Sequence, residues 1–150
     1  MKAASQLPPD FGVYIIGGEP TDEYLQLKQS LNLGNIHFVG FKKKSELSYY
    51  YQAADCTAFP TREDIWGLIT NESMAFGVPV VASDKCISAL EMIEDGKNGY
   101  IIPANDVSAL AFGITNLIIK DTRDMCVNTA KFYTIEKMAL SHAAVWGLNH

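Results

Sequence analysis

Asp64 and Glu72, with seven residues between them, bracket the apolar run Ile65-Trp66-Gly67-Leu68-Ile69. Two carboxyls at that spacing admit several chemistries. One can protonate a glycosidic oxygen while the other serves as nucleophile or base. Alternatively each can accept hydrogen bonds from hydroxyls, since an ionised carboxylate is an acceptor only. The plainest alternative is that the acids favour a helix dipole and Gly67 makes a turn, and spacing alone leaves that reading open. Cys86 offers a thiol with no obvious base near it in sequence, and Lys42, Lys43 and Lys44 form the one basic cluster. Tyr49, Tyr50 and Tyr51 resemble a stacking platform, but helical spacing turns at least two of them to the core. His37, His142 and His150 are assigned no catalytic role.

The elements that must position these residues follow from periodicity. FGVYIIGG (11–18), NIHFVGF (35–41), CTAFP (56–60), PVVAS (79–83) and GYIIP (99–103) are short apolar runs of strand type. Helices are expected between them. The first carries Tyr24, Leu27 and Leu31, with Gly34 expected to take the positive φ at its end. The second has Ser45 as N-cap and Leu47, Tyr50, Tyr51 and Ala54 on one face. A third runs from about Gly67 to Phe76 and closes at Gly77 and Pro79, a fourth covers 89–96, and Asp106 caps a fifth. Two more helices are expected from Asp121 on, the second starting near Thr134. Five strands alternating with helices predict an α/β domain, a Rossmann-like doubly wound parallel sheet flanked by helices. Ligands of such folds sit at the carboxyl ends of the strands, so loops 17–20, 40–45, 60–67 and 83–88 should share one rim.

At that rim, a helix beginning beside Gly67 presents unpaired N–H groups and the positive end of its dipole, a generic anion site. A ligand with hydroxyls on both sides of a diphosphate suits a helix start flanked by two acids. Bulk properties agree with a single globular domain over 1–150: 48% hydrophobic and 19% charged residues, with a net charge of −5. Dispersed basic residues argue against nucleic acid as a partner. Three cysteines, none in a C-x-x-C pair, suit a reduced, cytoplasmic setting. No run is long enough to span a bilayer and the N-terminus lacks signal-peptide character, so any membrane association is expected to be peripheral. Gly17-Gly18-Glu19 does not make the G-x-G-x-x-G of a dinucleotide-binding oxidoreductase.

The stretch DIWGLITNESMAFGVPVVAS, Asp64 to Ser83, resembles the signature E-x-F-G-L-x-x-x-E-A-M-A-x-G-x-P-V-V-A-S of the family 4 retaining glycosyltransferases. The likeness is to their C-terminal, donor-binding lobe, one of the two Rossmann-like lobes of the GT-B architecture, and it extends from about Phe11 onward. The resemblance implies transfer of a sugar from a nucleoside diphosphate sugar to an acceptor with retained anomeric configuration, with no metal or other cofactor required. It assigns the catalytic acids to Asp64 and Glu72: Glu72 would accept from the ribose hydroxyls and Asp64 from those of the donor sugar. The amides of Gly67 and Leu68 would meet the diphosphate, and the backbone at Gly40 and Phe41 would border the base. Gly18, Trp66 and Glu63 complete the donor-binding set, Glu63 because Asp64 is one methylene shorter than the family's Glu. The loop from Asp84 to Ala89 replaces one that is often glycine-rich. Nothing corresponds to the family's first strand of the lobe, its phosphate-binding Arg and Lys, or the N-terminal acceptor lobe, which is then expected as a partner. A missing central strand predicts open edges on FGVYIIGG and CTAFP, unless these pair directly or another chain fills the gap. A nucleotide-sugar binding module without catalysis is the alternative from another class.

Overall fold

A computed structural model describes residues 1–147 of the chain. After a 3-10 turn at Lys2–Gln6, strands and helices alternate as β1 Val13–Ile16, α1 Asp22–Ser30, β2 Ile36–Gly40, α2 Lys44–Ala53, β3 Thr57–Phe59 and α3 Leu68–Ala75. They continue as β4 Val80–Ser83, α4 Ile87–Met92, β5 Gly99–Ile102, α5 Val107–Ile118, α6 Arg123–Ala130 and α7 Ile135–Val145. All pairings are parallel. The strands form two sheets, β1-β2 and β3-β4-β5, and β1 and β3 do not pair with each other. The break falls at the place expected for an absent central strand.

β4 is the centre of the larger sheet, and each of its four residues is buried. Its alternation sends Val80 and Ala82 to one face, against Met74, Cys86, Ala89, Met92 and Cys126. Val81 faces the other side, against Ile102, Leu117 and the inner face of α5. Each such aliphatic side chain contributes about 1.5–3 kcal/mol by leaving water, so the β3-β4-β5 half holds most of the core. The smaller sheet is thinner. Ile36 is fully buried against Ala4 and Leu33, but α1 buries none of its residues, and Tyr24 remains half exposed.

Helix ends show where local chemistry was read and where it was not. Asp106 accepts from the amide of Ala109 (2.8 Å) and Thr134 from that of Lys137 (3.3 Å), as their positions predicted. Gly77, at φ +77°, closes α3 with its amide on Met74 O and that of Val78 on Ser73 O, the paired bonds of a Schellman end. At the end of α1 it is Asn32 (φ +51°), not Gly34, that takes the left-handed conformation. α2 begins two residues earlier than Ser45 suggested: Lys43 is the N-cap residue, and the Glu46 carboxylate accepts its amide at 3.0 Å. The fourth helix spans Ile87–Met92 rather than 89–96, because the buried Asn98 amide ends it, accepting from Glu94 N (2.8 Å) and donating to Met92 O (3.1 Å).

Candidate functional site

The loops at the carboxyl ends of the strands are tied in two pairs by backbone and short side-chain bonds. The amide of Gly17 donates to Gly40 O (3.0 Å), which sets the loop after β1 beside the loop after β2. The amide of Asp64 donates to Lys85 O (3.1 Å), and the Ser83 hydroxyl donates to Thr61 O (2.6 Å), joining the loops after β3 and β4. Gly18 is exposed on this rim and the Phe41 side chain is 82% exposed beside it.

α3 opens on the rim at Gly67, whose φ of +85° belongs to the left-handed region. Its carbonyl is held by Thr70 N (3.0 Å) and by the Ser88 hydroxyl (2.8 Å), while Trp66 O accepts from Ser88 N (2.8 Å) and the Cys86 thiol (3.4 Å). The carbonyls of this turn are therefore aimed inward. Among the described residues, the amides of Gly67, Leu68 and Ile69 donate to no protein acceptor, and no acidic residue lies in the first turn of α3. Unpaired N–H groups at the positive end of a helix dipole form a generic anion site; of these three residues Leu68 is exposed, Ile69 half buried and Gly67 buried.

Asp64 and Glu72 lie on either side of this helix start and do not contact each other. Asp64 precedes it: its Oδ1 accepts from Trp66 N (3.1 Å), and among the described residues no donor reaches its second oxygen. Glu72 lies in the second turn of α3, and its Oε2 accepts from the Tyr51 hydroxyl at 3.2 Å. Tyr51 reaches it from α2 and stacks on Phe76, ring centres 5.6 Å apart. Burial, then the charge of Glu72 and this hydrogen bond, push the Tyr51 phenol above its ordinary value. Lys44, Ser45, Leu47 and Ser48 join Tyr51, Glu72 and Phe76 around a cavity of about 240 Å³. One carboxylate is thus already aligned by a neutral hydroxyl donor, and Lys44 is the member of the basic cluster that shares its cavity.

The other candidates separate into contributors and framework. Glu63 is exposed, its amide held by Thr61 Oγ1 (3.3 Å), and Leu68 is 66% exposed at the helix start. Trp66 is half buried, with its indole N–H on Asn71 Oδ1 (2.8 Å) and its ring against Tyr133. Cys86 is fully buried among Trp66 O, Thr70 and Ser88, so its thiol serves the turn and is not an accessible nucleophile. Tyr49 is 71% exposed and Tyr50 and Tyr51 are half buried, so one tyrosine of the three faces water. His37 stacks on Tyr14 and His142 on Trp146, away from the acids, while His150 lies outside the described residues.

This geometry can be set beside known proteins. The model of the family described as glycosyl transferases group 1 matches residues 1–132. The chain belongs to that family. An uncharacterized glycosyltransferase of Haemophilus influenzae is 26% identical over 112 residues, covering 73% of this chain and 31% of the relative. A D-inositol 3-phosphate glycosyltransferase of Mycobacterium sp. (strain KMS) is 27% identical over 154 residues, covering 97% and 32%. The chain spans about a third of the length of these curated relatives. Among solved structures, Anabaena Alr3699/HepE in complex with UDP-glucose superposes with a TM-score of 0.74 at 26% identity, covering 87% of this chain and 38% of that one. Sucrose-phosphate synthase from Thermosynechococcus elongatus gives 0.78 at 26%, covering 96% and 39%. The fold is the Rossmann-like lobe of GT-B glycosyltransferases.

Within that family frame, the residues that sequence reasoning passed over are those that hold the site rather than line it. Tyr51 was legible as a core-facing tyrosine of a helix, but nothing in its own helix says that Glu72 lies opposite. Cys86 and Ser88 stand in the loop that departs from the family's often glycine-rich one, and they fix the carbonyls of Trp66 and Gly67. Among the described residues, no three His, Cys, Asp or Glu side chains gather as a metal site, and no helix is long and apolar enough to cross a membrane.

Proposed function

We propose that this chain is the donor-binding lobe of a retaining, family 4-like glycosyltransferase that works on a nucleoside diphosphate sugar. The observation that carries the reading is the set of unpaired amides at Gly67, Leu68 and Ile69, between two carboxylates that point away from each other's partners. The diphosphate meets the amides of Gly67 and Leu68. Glu72, aligned by Tyr51, accepts from the vicinal hydroxyls of the ribose, and Asp64, with Glu63 beside it, accepts from hydroxyls of the donor sugar. Gly18, Gly40 and Phe41 border the base, and Trp66 braces the turn.

Transfer breaks the bond between the anomeric carbon and the β-phosphate oxygen, and forms a bond from an acceptor oxygen to that carbon on the same face. The departing diphosphate gains negative charge on its leaving oxygen, which then takes up the proton that the acceptor hydroxyl releases. Fixed N–H dipoles at the start of α3 stabilise that charge more than they stabilise the bound donor, which lowers the barrier. No metal is assigned a part in this step. The acceptor and a facing N-terminal lobe lie outside these 150 residues, which span 32% of a relative such as the mycobacterial enzyme. The setting proposed is cytoplasmic, peripheral to a membrane at most. One alternative is a binding module that has no turnover by itself.

A thermal-shift panel of uridine, guanosine and adenosine diphosphates and their glucose conjugates tests the reading, because a ligand that binds the folded state raises its midpoint. Wild type should respond to one nucleotide series. Glu72→Ala should lose the response to every nucleotide, and Asp64→Ala should lose mainly the increment due to the sugar. Equal responses in all three proteins refute the assignment. Release of sugar from the donor by the chain alone separates the enzyme from the binding module.

A further inference from the structure

Trp66 is bonded at three points. Its carbonyl accepts from Ser88 N (2.8 Å) and the Cys86 thiol (3.4 Å). Its indole N–H donates to Asn71 Oδ1 (2.8 Å), and its ring centre lies 6.2 Å from that of Tyr133. Its amide donates to Asp64 Oδ1 (3.1 Å). With carbonyl and side chain both fixed, the Trp66 nitrogen has one place. Two residues back, the amide of Asp64 is fixed on Lys85 O (3.1 Å). The direction of the N–H between these two anchors, and of the carboxylate that accepts it, is then set.

Asn71 of α3 uses both ends of its side-chain amide. An indole N–H can only donate, so the atom facing it is the oxygen. Its Nδ2 then donates to Tyr133 O (3.4 Å), and the Tyr133 hydroxyl donates to Glu91 O (2.8 Å) on α4. Asn71 falls on an open position of the signature E-x-F-G-L-x-x-x-E, which calls for no amide there. We propose that Asn71 is a positioning residue for the donor sugar. It acts through Trp66 to fix the Asp64 carboxylate, with Oδ2 as the oxygen open to a sugar hydroxyl. The sugar's part rests on the donor-lobe reading, and the brace rests on the bonds at Trp66. The effect is confined to the sugar because Ser88 holds the Gly67 turn and Tyr51 holds Glu72 independently.

Amide hydrogen exchange and calorimetry on wild type, Asn71→Ala and Asn71→Asp test the brace. Exchange is read in the chain alone, with Asp64→Ala marking the rate of an unbonded Trp66 amide. In Asn71→Ala the Trp66 amide should exchange about 3–10-fold faster, the worth of one ordinary hydrogen bond, while the Ser88 amide keeps its rate. Asn71→Asp retains an acceptor for the indole and should keep the wild-type rate. Calorimetry uses uridine diphosphate and uridine diphosphate glucose. Asn71→Ala should weaken the glucose conjugate about 3–10-fold relative to the free nucleotide. Asn71→Asp should keep the wild-type ratio, since its added charge acts on both diphosphates alike. An unmoved Trp66 amide or an unchanged ratio in Asn71→Ala overturns the proposal. So does Asn71→Asp behaving as Asn71→Ala does, or a Ser88 amide that quickens with Trp66, which marks general loosening of the turn. If wild type binds no nucleoside diphosphate, the donor-lobe reading falls, and the exchange rates still decide the brace.

Discussion

Replacing Gly67 by alanine puts the turn that opens α3 under two separate loads. The first is conformational: at φ +85° a Cβ costs about 1–2 kcal/mol. The second is steric. That Cβ would overlap the Cys86 sulfur and come within 3.1 Å of both the Phe59 ring and the Ser88 hydroxyl. These neighbours are packed around a buried thiol and cannot move freely, so overpacking adds about 1–3 kcal/mol. The sum, about 2–5 kcal/mol, lowers the midpoint of a chain this size by about 4–20 °C. Urea denaturation of wild type, Gly67→Ala, Cys86→Ala and the double variant measures both loads. Removing the sulfur relieves the overlap but not the φ strain, so the cycle should show a favourable coupling of about 1–2 kcal/mol. Gly67→Ala within about 0.5 kcal/mol of wild type, a typical surface effect, refutes the reasoning.

Tyr51→Phe should fold and bind its nucleotide about 3–10-fold more weakly by calorimetry, since it loses a bond to a charged group that is worth about 1.5–3 kcal/mol when fully buried and less at a half-exposed site. The same variant has an alkaline signature. The folded phenol sits above its ordinary 10.0, so its contribution is fully present below that pH and falls as pH rises through the higher folded value. Absorbance titration should show one late-ionising tyrosine that disappears in Tyr51→Phe, with a flatter loss of stability above pH 10. Asn98→Ala removes bonds to Glu94 N, Met92 O and Thr129 Oγ1 from a fully buried site, and should cost about 2–4 kcal/mol in urea without altering the nucleotide response.

How far the sequence carried depended on whether the deciding contact was local. Asp106 and Thr134 cap helices through bonds three residues away, and Gly77 ends α3 through its neighbours, so all three were readable. The helix at 89–96 was misplaced because Asn98, reaching back with its side chain, competes with continued helix. Ser45 lost the N-cap to Lys43 for a similar reason, the Glu46 carboxylate satisfying an amide one turn back. Gly34 carried the signal for a left-handed residue, yet Asn32, two positions earlier, bears the turn. The open edges of β1 and β3 were expected only through the family resemblance, which places a strand between them. The Tyr51–Glu72 bond was not, since it joins residues 21 apart through the packing of α2 on α3.

The central claim is that the free amides at the start of α3 hold a diphosphate. At 16.5 kDa the chain suits two-dimensional amide NMR, with uridine diphosphate and uridine diphosphate glucose added stepwise. The account predicts that the largest shifts fall on Gly67, Leu68 and Ile69, with smaller ones at Gly40 and Phe41, and that the glucose adds a change at Asp64. Saturable shifts that leave Gly67, Leu68 and Ile69 unmoved and cluster elsewhere would contradict it.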